Sequence, residues 1–356
     1  MKEVNSKTMF KLFLALFMLS IFTETNVCAQ TTANTSEELE CKKRLSDCGF
    51  FWEDRACIRD ENGKYGFVDK AGKLVIPYQW NNVVCFSEGL CPVMDENDWG
   101  FIDKTGKVVI PCTWMMANCF SEGLALVRNT DWQYGFIDKT GNEVIPFMWK
   151  EAGDFSEGLA FVKDTNQNFG FIDKTGKVTI PLAWISASTF HDGLARVQDD
   201  SYRYGFIDKT GKVVIPCTWM MADNFYEGMA KVKDASFKYG FIDKTGKVVS
   251  PCMWDSASEF HEGLASVTDS KEKKGYIDKT GKLVIPCQWV NADDFSEGLA
   301  CVLSPTANYG FIDKTGKIVI PCTWDFAASF HDGLAKVRDT KGKYHKINKR
   351  GEIVED

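Results

Sequence analysis

With 356 residues, 44% of them apolar and 13% aromatic, the chain has ample material for a buried core, which excludes a disordered tail or linker. Its formal net charge of −7 is mixed evenly along the sequence, without any block of five Lys or Arg. That excludes the basic footprint of a nucleic-acid binder.

Lys2, Lys7 and Lys11 lead into the apolar run Leu12–Phe22, which is followed by Val27-Cys28-Ala29. This pattern predicts a signal peptide over residues 1–29, cleaved after Ala29. The run is too short to span a bilayer as a lasting helix, and no later segment is apolar for long enough. The mature chain is therefore expected to be exported, periplasmic or extracellular, with no membrane span. The alternative is a lipid anchor on Cys28, although Val27 stands where a small residue is expected before a lipidated cysteine. Residues 30–50 form a polar lead-in with room for a short helix over Ser36–Leu45. Cys41 and Cys48 in this lead-in, with Cys57 just beyond, are the disulfide candidates of an exported chain, because the region has the weakest apolar pattern to hold it.

From there the sequence repeats itself. FIDKTGKVVIPCTWMM stands at 101–116 and again at 206–221. A glycine, usually after an aromatic residue, recurs at 66, 100, 135, 170, 205, 240, 275 and 310, a step of 34 once and 35 thereafter. Eight repeats thus fill residues 66–343, between a partial repeat at 51–65 and a degenerate hairpin at 344–356. In each repeat Asp-Lys-Thr-Gly has the residues of a type I turn with a glycine bulge, flanked by short β-branched and aromatic strands, the second ending at a proline such as Pro216. The stretch Pro-x-x-Trp-x-x-Ala-x-x-Phe is expected to cross over as an irregular turn, and Glu-Gly precedes a third strand. The fold class is all-β: three-stranded antiparallel repeats of about 35 residues in tandem, an open twisted array being favoured over a closed propeller-like ring.

GFIDKTGKVVIP, followed by an aromatic, an alanine, FSEGLA and a strand, resembles the WG-repeat proteins of bacteria over roughly residues 51–354. Only Trp99-Gly100 is literally Trp-Gly; the other repeats place Tyr, Phe or Lys before the glycine. The resemblance implies a β-rich scaffold without a shared catalytic activity, binding other macromolecules.

The residues themselves point the same way. The Trp column (Trp80, Trp114, Trp149, Trp184, Trp219, Trp254, Trp289, Trp324) reads as core. The carboxylates of the two turns, such as Asp208 and Glu227, read as turn caps. Nearly identical copies of an acid pair lack the unlike pKa values that acid–base catalysis needs. His191, His261 and His331 share one column but lie two repeats apart, too far to share a metal if the repeats form one continuous sheet with strands about 4.8 Å apart. The same spacing leaves Cys112, Cys217, Cys252, Cys287 and Cys322 as buried thiols. No enzyme, cofactor or metal site is expected.

What varies between repeats is where partner choice can lie. The pair after each Trp gives Met115, Met116, Met220, Met221 and Phe326 as candidate contacts, and the loops before aromatic-Gly add Trp99 and Trp132. The expected partner is a protein or cell-envelope macromolecule, with surface glycan stacked on Trp99 and Trp132 as the alternative.

Overall fold

The computed structural model describes residues 51–354 together with Glu40. The expected signal peptide, Cys28, Cys41, Cys48 and, Glu40 apart, the expected helix lie outside the described residues. Residues 51–354 hold thirty-five strands and no helix. The chain divides into two compact units, Met1–Trp132 with Phe136–Glu143 and Gln133–Gly135 with Val144–Asp356.

In the first unit, Ala56–Arg59, Tyr65–Val68 and Leu74–Trp80 form a three-stranded sheet. A four-stranded sheet of Asn82–Val83, Leu90–Met94, Trp99–Asp103 and Val108–Trp114 follows, and Met116–Ala117 pairs with Ala125–Arg128. The second unit holds six four-stranded sheets. They run from Glu151–Ala152, Ala160–Lys163, Phe169–Ile172 and Val178–Trp184 to Phe326–Ala327, Leu334–Arg338, Tyr344–Asn348 and Ile353–Val354. Each sheet pairs its strands antiparallel in chain order, and none closes on itself.

Two features depart from the sequence expectation. The strand after the Asp-Lys-Thr-Gly turn does not end at its proline; Val213–Trp219 runs through Pro216 and pairs Ile215 with Phe206 and Trp219 with Tyr204. The register slips between those pairs, so the proline sits in a bulge, where no ladder N–H is required of it. The crossing segment also becomes a strand: Met221–Ala222 pairs with Lys233 and Val232 and edges the next sheet. All the sheets but the first described one are accordingly four-stranded, the fourth strand being this short edge piece.

The bulge explains the glycine that marks each repeat. A Cβ on Gly205 would lie 2.5 Å from the Ile215 carbonyl oxygen and 2.7 Å from the Cys217 nitrogen. Backbone meets backbone there, and only a residue without a side chain fits. The hairpin glycine has a different reason. Gly211 has φ +84, its amide donates to the Asp208 carbonyl at 2.9 Å, and Asp208 Oδ1 accepts from the amide and hydroxyl of Thr210 (2.9 and 2.6 Å) and the amide of Lys212 (3.1 Å). A Cβ on Gly211 would also stand 3.1 Å from Cγ2 of Ile180 in the preceding repeat.

Within each unit the core runs from one repeat into the next. Phe206, Ile215, Ala222 and Phe225 pack with Ala230, Val232 and Ile242, and the Phe206 and Phe225 rings lie 4.8 Å apart at 59°. The tryptophans belong to this core: Trp80, Trp149, Trp254 and Trp289 are buried and the other four half-buried. Trp254 donates its Nε1–H to the buried Ser250 hydroxyl at 3.0 Å.

Gly211→Val should lower stability by roughly 1–3 kcal/mol, since a branched side chain is strained at positive φ and would press on Ile180. Gly228→Ala, at φ +81 with nothing within 4 Å of its Cβ, should cost only about 1 kcal/mol. Chemical denaturation compares them; equal midpoints for the two variants would mean that the contact with Ile180 contributes nothing.

Candidate functional site

The second acidic column does not cap its own turn, as the sequence suggests. Glu157 and Gly158 have φ +55 and +88, the two left-handed residues of a tight hairpin closed by Ser156 and Leu159. From that tip the Glu157 carboxylate reaches the next repeat, accepting the Gly193 amide on both oxygens at 3.1 Å and standing 2.8 Å from Lys209 Nζ. The pattern recurs within each compact unit. Glu53 takes the amide of Gly89 and Glu88 that of Gly123 in the first; Glu227, Glu262 and Glu297 take those of Gly263, Gly298 and Gly333 in the second. The matching lysines are Lys104 and Lys139 in the first unit and Lys279, Lys314 and Lys349 in the second. The acids are thus a clasp between repeats.

This clasp overturns the assumption of one continuous sheet. Successive repeats lie in separate sheets whose hairpin tips stack at hydrogen-bond distance: Ser87 Oγ donates to the Phe120 carbonyl at 2.7 Å, and Ser156 and Ser296 do the same to Phe190 and Phe330. Where this column carries larger side chains, the His191 and Tyr226 rings stack at 6.4 Å. The histidines, two repeats apart, are engaged separately: His191 with the Thr189 hydroxyl at 3.1 Å, His261 with Asp294 at 3.4 Å and His331 with Asp332 at 3.6 Å. The cysteines after the proline are half-buried, and desolvation pushes the thiols of Cys112, Cys217 and Cys252 up to about 11.

Of the residues read as candidate contacts, Trp132 stands 60% exposed at a loop tip, with the Arg128 guanidinium 4.4 Å from its ring centre. Met221 and Phe326 are also exposed, each in a two-residue edge strand. Met115, Met116 and Met220 are half-buried. Trp99 is not at a loop tip: it is half-buried in Trp99–Asp103 and paired with Trp114.

The loop tips carry two aromatics that the sequence reading passed over, Tyr202 (68% exposed) and Phe237 (62%). Their turns copy the Asp-Lys-Thr-Gly geometry. Asp199 Oδ1 accepts from the amides of Ser201 (3.0 Å) and Arg203 (2.9 Å), and the Tyr202 amide donates to the Asp199 carbonyl at 3.0 Å. Tyr202, Phe237 and Trp132 therefore occupy the glycine position of the turn, at φ +59, +61 and +62, where the two end repeats have Gly63 and Gly342. A side chain there costs about 1–2 kcal/mol. Asp at 199 and 234 followed three residues later by an aromatic was the signal available in the sequence.

One sheet breaks the pattern. Lys274 replaces the aromatic before glycine, Tyr276 replaces phenylalanine, and Ser266 stands where Lys231 and Arg196 stand in earlier repeats. A cavity of about 500 Å³ results, lined by Ser258, His261, Ser266, Lys274, Asp293 and Asp294 among others. The Tyr276 hydroxyl donates to the Asp293 carbonyl at 2.6 Å, and burial raises the Asp293 carboxyl against the pull of Lys274. An ammonium, two carboxylates and an imidazole around an open cleft suit a polar or mixed-charge group.

The family model for the WG containing repeat matches residues 65–97, 99–131, 134–167, 169–202, 204–234, 239–269, 275–303 and 309–344. The chain belongs to this family. No curated protein sequence matches it. Among solved structures it is similar to BamB from Moraxella catarrhalis, at 9% identity and a TM-score of 0.38, over 83% of this chain and 94% of that one. It is also similar to Hsv2 from Kluyvelomyces marxianus (8%, 0.39, 73% and 93%) and to the computationally designed Ika8 protein (10%, 0.39, 75% and 95%). The functional reading rests on the chain's own residues.

The clasp makes stability depend on acid. Lys209 holds the Glu157 carboxyl, and Lys349 that of Glu297, below the ordinary 4.5; the Thr210 hydroxyl holds Asp208 below 3.8. A folded-state value below the unfolded one stabilises above the unfolded value, and that contribution is lost as pH falls through the folded value. The denaturation midpoint should be level from about pH 7 to 5 and fall below about 4.5, and Glu157→Gln should show a shallower fall. Parallel profiles for the two proteins would remove Glu157 from the account.

Proposed function

We propose that this WG-repeat protein is an exported, non-catalytic scaffold that binds a protein or other cell-envelope macromolecule through its variable loop tips and edge strands. The observation that carries the proposal is the placement of Trp132, Tyr202 and Phe237. Each exposes most of a large apolar ring to water at a turn position whose left-handed backbone favours glycine, so the turn itself opposes a side chain there. The residues common to the repeats are meanwhile engaged in turns, core and clasp, and the basic and apolar pattern of residues 1–29 supports export. Binding energy at such surfaces concentrates in a few aromatic anchors.

The same rings support a second reading, glycan stacking, since an exposed aromatic face suits the apolar face of a sugar. It now rests on Trp132, Tyr202 and Phe237 in place of Trp99.

Replacing Trp132, Tyr202 and Phe237 together by glycine should abolish capture of the cell-envelope partner while leaving the denaturation midpoint unchanged or higher. Pull-down with the mature chain and its triple variant makes the comparison, and soluble envelope polysaccharide as competitor separates glycan from protein. Undiminished capture by the triple variant would move the binding surface elsewhere.

A further inference from the structure

Cys85 and Cys119 stand immediately before the Phe of two successive repeats. In the other repeats this column reads Asp154, Thr189, Asn224, Glu259, Asp294 and Ser329, so it is a polar position to which two consecutive repeats bring a thiol. Their sulfurs lie 2.9 Å apart, and Cys119 Sγ is 3.3 Å from the Cys85 carbonyl oxygen. The approach is built into the stacking of the two hairpin tips. Two residues on, Ser87 Oγ bonds the Phe120 carbonyl at 2.7 Å, and beyond it the Glu88 carboxylate holds the Gly123 amide at 3.1 Å.

We propose that Cys85 and Cys119 are a disulfide site that ties two successive repeats together covalently. Closing from this separation to the bonded distance of about 2.05 Å requires a movement of less than about 1 Å. Burial works against two neighbouring cysteines among the described residues, raising the thiol of Cys57 as well as that of Cys91. Cys91 is fully buried, its thiol faces the Pro92 carbonyl, and burial pushes it far up, so it supplies little thiolate. Cys85 and Cys119 are each half-buried and within reach of a small oxidant.

The oxidant is a disulfide, protein-borne or of low molecular weight. The thiolate of one cysteine attacks it, giving a mixed disulfide and releasing one thiol. The second thiolate then attacks the protein sulfur of that mixed bond and displaces the other thiol. Two cysteine thiols are oxidised, the reagent disulfide is reduced to two thiols, and the two cysteine protons end on the released thiols. The pairing follows from the geometry alone; its persistence in cells also rests on the proposed export to an oxidising compartment.

The test equilibrates the purified mature chain with oxidised and reduced glutathione, alkylates it, and maps it with trypsin and a glutamate-specific protease, which parts Cys85 from Cys91. The expected result is a cross-linked peptide joining Cys85 to Cys119, with alkylation of both at least about tenfold below the reduced chain. Cys85→Ser should restore alkylation of Cys119; serine already stands in this column at Ser329, so the variant suits the fold. Full alkylation of both cysteines under oxidising conditions, or Cys85 joined to Cys57 or Cys91, would overturn the proposal. Repeating the map on protein taken from cells without reductant separates the two premises: reduced in cells but bonded in glutathione counts against export and not against the pair.

Discussion

A glutamate at a hairpin tip, reaching a backbone amide in the next repeat, is the contact on which the order of the structure depends. A single short sheet leaves one face without a partner and is barely stable by itself. Stacking supplies the missing face, and it must be in register, because the Ile180 side chain has to meet the glycine at 211 and the Phe225 ring the Phe206 ring. Apolar packing alone fixes such a register poorly, being without direction. The Glu157 carboxylate, held by the Gly193 amide and Lys209, adds direction: a step of one residue would leave a donor without its acceptor. Strong specification at a few such points frees the remaining columns to vary.

The two kinds of glycine show how sheets can stack this closely. Gly205 lets the strand through Pro216 press against its neighbour, and the resulting bulge turns Cys217 and Thr218 out of the ladder before Trp219 rejoins it. Gly211 makes the hairpin narrow enough to lie over Ile180. The first answers a close approach of main chain to main chain and the second a left-handed turn against an isoleucine side chain, and neither involves the chemistry of a ligand.

What the sequence revealed was whatever closes within a few residues. The Asp208 turn was legible because every donor it satisfies lies within four residues, and the all-β class because its strands carry β-branched and aromatic residues between recognisable turns. The clasp was not legible, because Glu157 and Gly193 are 36 residues apart and nothing in the order of residues states how far one repeat stands from the next. Taking the repeats as one continuous sheet placed neighbouring columns about three strand spacings apart. Stacked separate sheets put the Cys85 and Cys119 sulfurs in contact instead. The passage of the strand through Pro216 was hidden for a related reason: a bulge makes harmless the missing N–H that normally ends a strand.

Repetition also explains why the informative residues are the irregular ones. When each repeat must present the same surface to its neighbours, a residue at a fixed position answers a structural demand made many times over. A departure answers a demand made once. Tyr202 at a loop tip, Lys274 in an aromatic's place and Cys85 in a polar column are three residues not shared by all repeats, and each changes the surface without touching the clasp or the Phe core. The first exposes an apolar ring, the second opens a charged cleft and the third brings two thiols together. A scaffold acquires specificity in this way, one repeat at a time, because the energy that holds the stack is already supplied by the columns that do not change.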